Sequence, residues 1–364
     1  MELKPKILDL YIMKKFLSTF FSALLIIIGL VIIFDISEKI ENFVEHEVSL
    51  HSIVFDYYLH FIPYFVNMFS PIFVFITVIF FTSRMAANSE IIAILSGGVS
   101  YHRMMVPYFV SAGIIFLLSL ALNLFVIPKS NASRVEFETK YVDQHYTKYR
   151  RNNVHYQIAP GQFVYVQSFS AYNNTAYKFT LESLENNQLV SKLTAESAAW
   201  DSTMDGWHLR RWFIRDYGPG LGDKVRCGDQ LDTVIALKLS DFYRNQKTVE
   251  TLTRDDLNAL INTQKMRGDS NVMYAQIEKN RRMTLPFSSF ILTIMAVALT
   301  SKKKRGGIGI NLALGIGLAF LYILFLKFSE MFVFTDTLPA AMALWLPNIV
   351  YTIIAAVLYV LAPK

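Results

Sequence analysis

The sequence predicts a membrane α-helical protein with six transmembrane helices, three plus three, and an inserted all-β domain between the halves. Three observations predict it. Six uncharged stretches occupy residues 16–34, 57–83, 104–128, 283–301, 306–326 and 337–363. Each reaches the roughly 19 residues that cross a hydrocarbon core about 30 Å thick at about 1.5 Å per residue. A polar stretch of about 150 residues separates the third from the fourth. Lysine and arginine in the short connections gather on one side, as they do on the cytoplasmic side of a membrane. The composition agrees: 53% of residues are hydrophobic and 18% charged, against about 25% charged in a soluble domain.

The first apolar stretch opens after Lys14 and Lys15 and has no small-residue cleavage site, so it reads as a retained helix rather than a signal peptide. With a cytoplasmic N-terminus, the inner connections hold Lys4, Lys6, Lys14, Lys15, Arg84, Arg103, Lys302, Lys303, Lys304, Arg305 and Lys364, against Lys39 and Lys327 outside. Both termini are then cytoplasmic and the large polar domain is exported. These inner clusters account for the net charge of +6, which is therefore no argument for nucleic-acid binding. The expected division is 1–128 for the first three helices, 129–282 for the exported domain with helical linkers, and 283–364 for the last three helices.

Within the exported domain, short aromatic and β-branched runs at 162–167, 176–182 and 207–214 alternate with turn formers at Pro160–Gly161, Asn173–Asn174, Asn186–Asn187, Asp205–Gly206 and Pro219–Gly220. This spacing suggests a sandwich or jelly roll. In the first run Phe163 and Tyr165 face one way and Val164 and Val166 the other, which fits either a strand covered on both faces or a groove for an acyl chain. Cys227 is the single cysteine, so no disulfide framework holds the domain. Residues 129–150 are expected to continue the third span as a charged helix. Thr253 to Asp256 resembles a capping box for a helix through about Arg267.

Residues 84–97, between the second and third spans, predict a short helix ended by Gly97 and Gly98, with Glu90 as its only acid. Arg84, Met85, Ile91, Ile94 and Leu95 supply the rest of a surface that a cytoplasmic partner could grip. An amphipathic helix lying on the bilayer fits the same pattern.

At these residues the chain resembles the lipopolysaccharide export permeases LptF/LptG, also called YjgP/YjgQ. The resemblance is carried by Ser83-Arg-Met-Ala, Ser89-Glu90 and Ser96-Gly97-Gly98, by Arg281-Arg-Met-Thr-Leu-Pro286, and by Leu338-Pro339 with Trp345-Leu-Pro-Asn348. It implies a heterodimer of two related permeases on a cytoplasmic ATPase dimer. The complex would extract lipopolysaccharide from the inner membrane and pass it to a periplasmic jelly-roll bridge. Glu90 takes the family's acidic coupling position. ATP and Mg would be held by the ATPase, because this chain has no G-x-x-x-x-G-K-[ST] pattern.

A substrate with several acyl chains and an anionic head wants an apolar cavity with a basic outer rim. The candidates for that rim are Lys39, Lys279, Arg281, Arg282 and Lys327. The bland reading of each is interfacial anchoring or local pairing, as Lys327 could pair with Glu330 one turn on. Gly309, Ala313 and Gly317 form a small-residue face in the fifth span, suited to close packing within the chain or against the second permease, where it could act as a gate. No catalytic or metal-binding set is expected: there is no H-E-x-x-H and no cysteine pair, and the spans offer only His60 and scattered serines. The alternative to a transporter is an envelope scaffold that presents an exported β domain without moving lipid.

Overall fold

The computed structural model describes residues 6–142, 150–218, 222–243, 246–269, 271–301 and 307–362. Lys4, the cluster at 302–305, Lys364 and the turn at Pro219–Gly220 lie outside the described residues. Six helices are long and apolar enough to cross a membrane: α1 (Ile7–Glu45), α2 (Leu50–Ala87), α4 (Tyr101–Tyr141), α8 (Val272–Thr300), α9 (Gly307–Phe334) and α10 (Ala340–Leu361). The short helix α3 (Glu90–Ser96) joins α2 to α4. The helices overrun the apolar stretches because hydropathy marks only what lipid must cover, whereas backbone hydrogen bonding continues into polar residues.

The chain divides into two compact units, residues 1–134 with 276–364, and residues 135–275. In the first, Phe16, Phe73, Val78, Tyr108, Leu292, Met295 and Tyr322 belong to one buried cluster. Phe16 packs on Phe81 and Tyr108, with ring centroids 5.6 and 6.4 Å away. Two π-helical stretches interrupt the ladder, Ile53–Tyr58 in α2 and Leu122–Val126 in α4. The predicted helical continuation of the third span holds to Tyr141.

The second unit is a six-stranded antiparallel sheet: β1 (Arg150–Ala159), β2 (Gln162–Ser170), β3 (Thr175–Glu185), β4 (Gln188–Asp201), β5 (Gly206–Asp216) and β6 (Lys224–Thr233). Its spatial order is the sequence order. The inserted β domain is as expected, but the connectivity is a meander rather than a sandwich or jelly roll. The physical reason is that the turn formers at 160–161, 173–174, 186–187 and 205–206 close short hairpins, so each strand from β1 to β4 pairs with its successor. Tyr156, Val164, Leu181, Leu193 and Ile214 fall in cross-strand register on the core side. Phe163 on the opposite side is 40% exposed, so within this unit one face of β2 is covered and the other is open.

Three helices complete the unit: α5 (Leu239–Tyr243), α6 (Gln246–Glu250) and α7 (Arg254–Met266). Phe242 of α5 stacks on Phe169 at 4.3 Å, and Trp207 Nε1 donates to the Leu237 carbonyl at 2.8 Å. The predicted cap is present, with Asp256 N donating to Thr253 Oγ1. Arg267, just past α7, pairs with Asp241 at 2.8 Å and accepts from Gln157 N through its carbonyl, so it ties the helix end to β1.

Gly161 closes the first hairpin at φ +74°, where a Cβ would drive into the Leu184 carbonyl oxygen. Leu184 N donates to the Gly161 carbonyl at 2.7 Å, so the backbone there has no freedom to retreat. Gly161→Ala is expected to destabilise the β unit by about 2 kcal/mol, seen as a lower unfolding midpoint of the sheet signal in circular dichroism of the full chain.

Candidate functional site

Two side-chain clusters on the helical unit carry most of the residues singled out in the sequence. The first surrounds α3. Ser89, with φ 61°, breaks the backbone before it, and Gly98, with φ 83°, after it. The terminal bonds Gly98 N to Leu95 O and Val99 N to Ile94 O form a Schellman closure. Met85 and Ile91 are 1% exposed and belong to the bundle core. The surface offered outward is therefore Arg84, Ile92 and the half-buried edges of Ile94 and Leu95.

Glu90 is engaged within the chain. Lys15 Nζ lies 2.9 Å from Oε2 and 3.2 Å from Oε1, Tyr11 OH donates to Oε2 at 2.8 Å, and Asn88 Nδ2 donates to Oε1 at 3.3 Å. Partial burial pushes this carboxyl up, and the hydrogen bonds from Lys15, Tyr11 and Asn88 more than offset it, leaving it below the ordinary carboxylate range. Nearby, Arg103 grips Asp9 with two parallel bonds of 2.6 and 2.5 Å, joining the start of α4 to the start of α1.

The second cluster joins α8 to α9. Arg281 and Arg282 reach Glu278 at 2.5 and 2.7 Å, Arg281 lies 3.8 Å from Glu330, and Lys327 pairs with Glu330 at 3.1 Å. Three cations thus share two carboxylates. Beside them is a cavity of about 80 Å³ lined by Arg281, Lys327 and Glu330 together with Asn67, Asn123 and Leu326. Lys327 keeps 48% of its side chain exposed, whereas Arg282 keeps 4%. Lys279 points outward.

Lys39 sits apart from both. It pairs with Asp35 at 2.7 Å, bonds the Tyr57 hydroxyl and lies over the Tyr57 ring at 4.6 Å, with 14% of its side chain exposed. Tyr58 OH donates to the same aspartate at 3.0 Å. Gly309, Ala313 and Gly317 all face outward from the unit. The small residue that permits close packing inside the chain is Gly315, against Ile79.

The sequence motifs in the fourth and sixth spans meet in space. Asn348 Nδ2 donates to the Thr284 carbonyl at 2.9 Å, Tyr322 OH donates to Asn348 Oδ1 at 2.7 Å, and the Phe287 and Trp345 rings are 5.1 Å apart. Sequence reasoning missed the buried set in which Asn67 and Asn123 exchange amide bonds of 2.9 and 3.1 Å and Ser119 donates to Asn67. It also missed the partnership of Asp9 with Arg103 and of Lys15 with Glu90. An asparagine in the middle of an apolar stretch was the available signal for the first. Among the described residues, no group of three or more His, Cys, Asp or Glu side chains could hold a metal.

The sequence profile described as Lipopolysaccharide export system permease LptF/LptG matches residues 10–361. A search of curated proteins finds no match.

Glu278 neutralises two guanidinium groups in a buried position, so Glu278→Ala is expected to cost about 3 kcal/mol, measured as lost thermal stability in detergent, while the exposed Lys279→Ala stays within about 0.5 kcal/mol. The Glu90 contact follows the acid side of the pH scale. Its folded carboxyl titrates below the ordinary 4.5, so its stabilisation is complete above that value and is lost as pH falls through the depressed one. Amide exchange in α3, compared with the core of α2 after correction for intrinsic rates, should therefore stay level between about pH 6 and 8 and rise below about pH 4.

Proposed function

Since the chain belongs to the lipopolysaccharide export permease family LptF/LptG and is an integral inner-membrane protein, we propose that it is one permease subunit of an ATP-driven exporter. It pairs with a related permease, sits on a cytoplasmic ATPase dimer, and moves lipopolysaccharide from the inner membrane to a bridge in the periplasm. Both chain termini face the cytoplasm and residues 129–282 the periplasm, a reading that the lysine and arginine asymmetry supports. ATP and Mg belong to the partner.

The observation that carries this reading is α3, a short helix held between two backbone breaks with Ile92 turned outward and Arg84 exposed beside it at the end of α2. An apolar residue 49% exposed on a connecting helix is suited to a cleft on another protein. Of the candidate rim cations, Lys279 is exposed and Lys327, paired with Glu330, still keeps 48% of its side chain exposed to meet an anionic head group, while Lys39, Arg281 and Arg282 are more deeply committed to carboxylates of this chain. The apolar interior of the transport route would be completed by the second permease, against which the outward Gly309, Ala313 and Gly317 face could pack. The exposed edge of β6 would offer its backbone to the bridge by strand addition.

The test is purification of the tagged protein from its own membranes, followed by ATP-driven release of lipopolysaccharide. An ATPase is expected to copurify, and Ile92→Asp to reduce it at least about tenfold, as loss of an interface anchor does. Full retention of the ATPase by Ile92→Asp would remove α3 from the interface. With a photo-crosslinking residue at position 327, lipopolysaccharide adducts are expected in the assembled complex and should decline when ATP is supplied.

A further inference from the structure

The open side of the β unit carries side chains that its core does not need. Residues two apart along a strand share a face, so Phe163 and Tyr165 of β2 point away from the core that holds Val164 and Val166. The register carries that open face across the neighbouring strands in two rows: His155, Tyr165, Thr180 and Thr194 in one, and Gln157, Phe163, Glu182 and Lys192 in the other. Rings on β1 and β2 thus give way to hydroxyl and charged groups on β3 and β4. The His155 and Tyr165 rings pack at 4.6 Å, Tyr165 OH donates to Asn153 Oδ1 at 3.1 Å, and Phe163 is 40% exposed. Over these rows lies a cavity of about 640 Å³, lined by members of both and by Arg267 and Gly268 past the end of α7. Sites for small ligands run from about 300 to 1,000 Å³.

That lining is wrong for three kinds of ligand. An acyl chain wants an apolar wall, and Gln157, Thr180, Glu182 and Lys192 deny it one. An added strand needs an unpaired edge, yet at Gln157 the edge of β1 already donates its N–H to the Arg267 carbonyl. A strongly charged group finds no excess of counter-charge, because Glu182 pairs with Lys192 at 2.7 Å and Arg267 with Asp241 at 2.8 Å. A sugar meets none of these objections. Its C–H faces are drawn to aromatic faces, where the ring quadrupole is negative, and its hydroxyls both donate and accept. Glu182 has about four acceptor sites and Lys192 three donors, and the bond between them uses one of each. Phe163 and Lys192 stand two strand spacings apart, about 10 Å, so rings and polar groups can be met by two linked sugars side by side.

We propose that this cavity is a saccharide site whose occupant is the glycan of the lipopolysaccharide cargo. An uncharged stretch of sugar stacks on Phe163 and Tyr165 and hydrogen-bonds Glu182 and Lys192. The choice of occupant rests on the reading of the chain as a lipopolysaccharide permease subunit; the saccharide chemistry rests on the cavity itself.

The experiment uses the full chain in a detergent without a sugar head and, as probe, the lipid-free glycan cleaved from purified lipopolysaccharide by mild acid. Saturation-transfer NMR reads which sugar protons touch the protein. Transfer is expected, strongest at ring C–H protons, and Phe163→Ala should weaken binding about tenfold. Glu182→Gln keeps the shape and removes the charge, and should weaken binding about fivefold. Tyr172→Ala removes an exposed ring in the turn before β3, outside the cavity, and should leave binding unchanged. Circular dichroism checks the sheet in each variant, and Glu182→Gln carries the test should Phe163→Ala unfold. Absence of transfer to the glycan, or binding that survives both Phe163→Ala and Glu182→Gln, would overturn the proposal. ATP-driven release of lipopolysaccharide by the assembled complex separates the two readings. If release occurs and the glycan does not bind, only the saccharide site fails. If no release occurs, the permease reading fails and the cargo is lost as occupant, even where sugar binding still depends on Phe163.

Discussion

An ionised side chain inside a helical bundle has to find its counter-charge within reach, because lipid supplies none. That constraint organises the helical unit. Asp9 holds Arg103, Asp35 holds Lys39, and Glu278 with Glu330 holds Arg281, Arg282 and Lys327. Each pairing ties together two helices or two turns of one helix, so charge neutralisation and helix placement are the same event. It also decides which cations are available for anything else. A lysine or arginine near a span end is a poor guide to ligand contact until its carboxylates have been located.

The same demand for satisfied polar groups sorts the helices. The two spans without an internal proline, α1 and α9, are the least buried, with 17% and 22% of their apolar windows inside. Those with prolines include α2 and α8, with 61% and 67% inside. A proline frees a backbone carbonyl that lipid cannot bond, which suits α2 and α8 to positions where neighbours surround them, while α4 and α10, also proline-bearing, are 33% and 28% inside. The exchange between Asn67 and Asn123 sits among such irregularities, Asn67 between Pro63 and Pro71 and Asn123 within a π-helical stretch.

Span number, the inserted strands and the capped helix at 254–266 were legible because hydropathy, alternation and caps are local quantities. So was the pair Lys327 and Glu330, three residues apart. Arg103 and Asp9 were not, since 94 residues separate them and neither sits in a pattern. Glu90 was legible as the acid of α3, but its partner was not: Lys15 looked like a topology marker at the mouth of a span. The meander escaped notice because short aromatic strands with turn formers suit several sheet orders, and turn formers alone do not say which strand each loop leads back to. Lys39 shows the opposite case, where Asp35 four residues earlier already announced the pairing that the fold makes.

An open meander also has a last strand with nothing beyond it. β6 answers with Lys224, Arg226, Asp229 and Asp232 and with Gly228 tucked beneath the Trp212 indole. Charged side chains along the edge and a side-chain-free position discourage another strand from annealing there. The unit can thus keep an unsealed rim in water without seeding fibres, and a docking strand would need a complementary run of charge to be admitted.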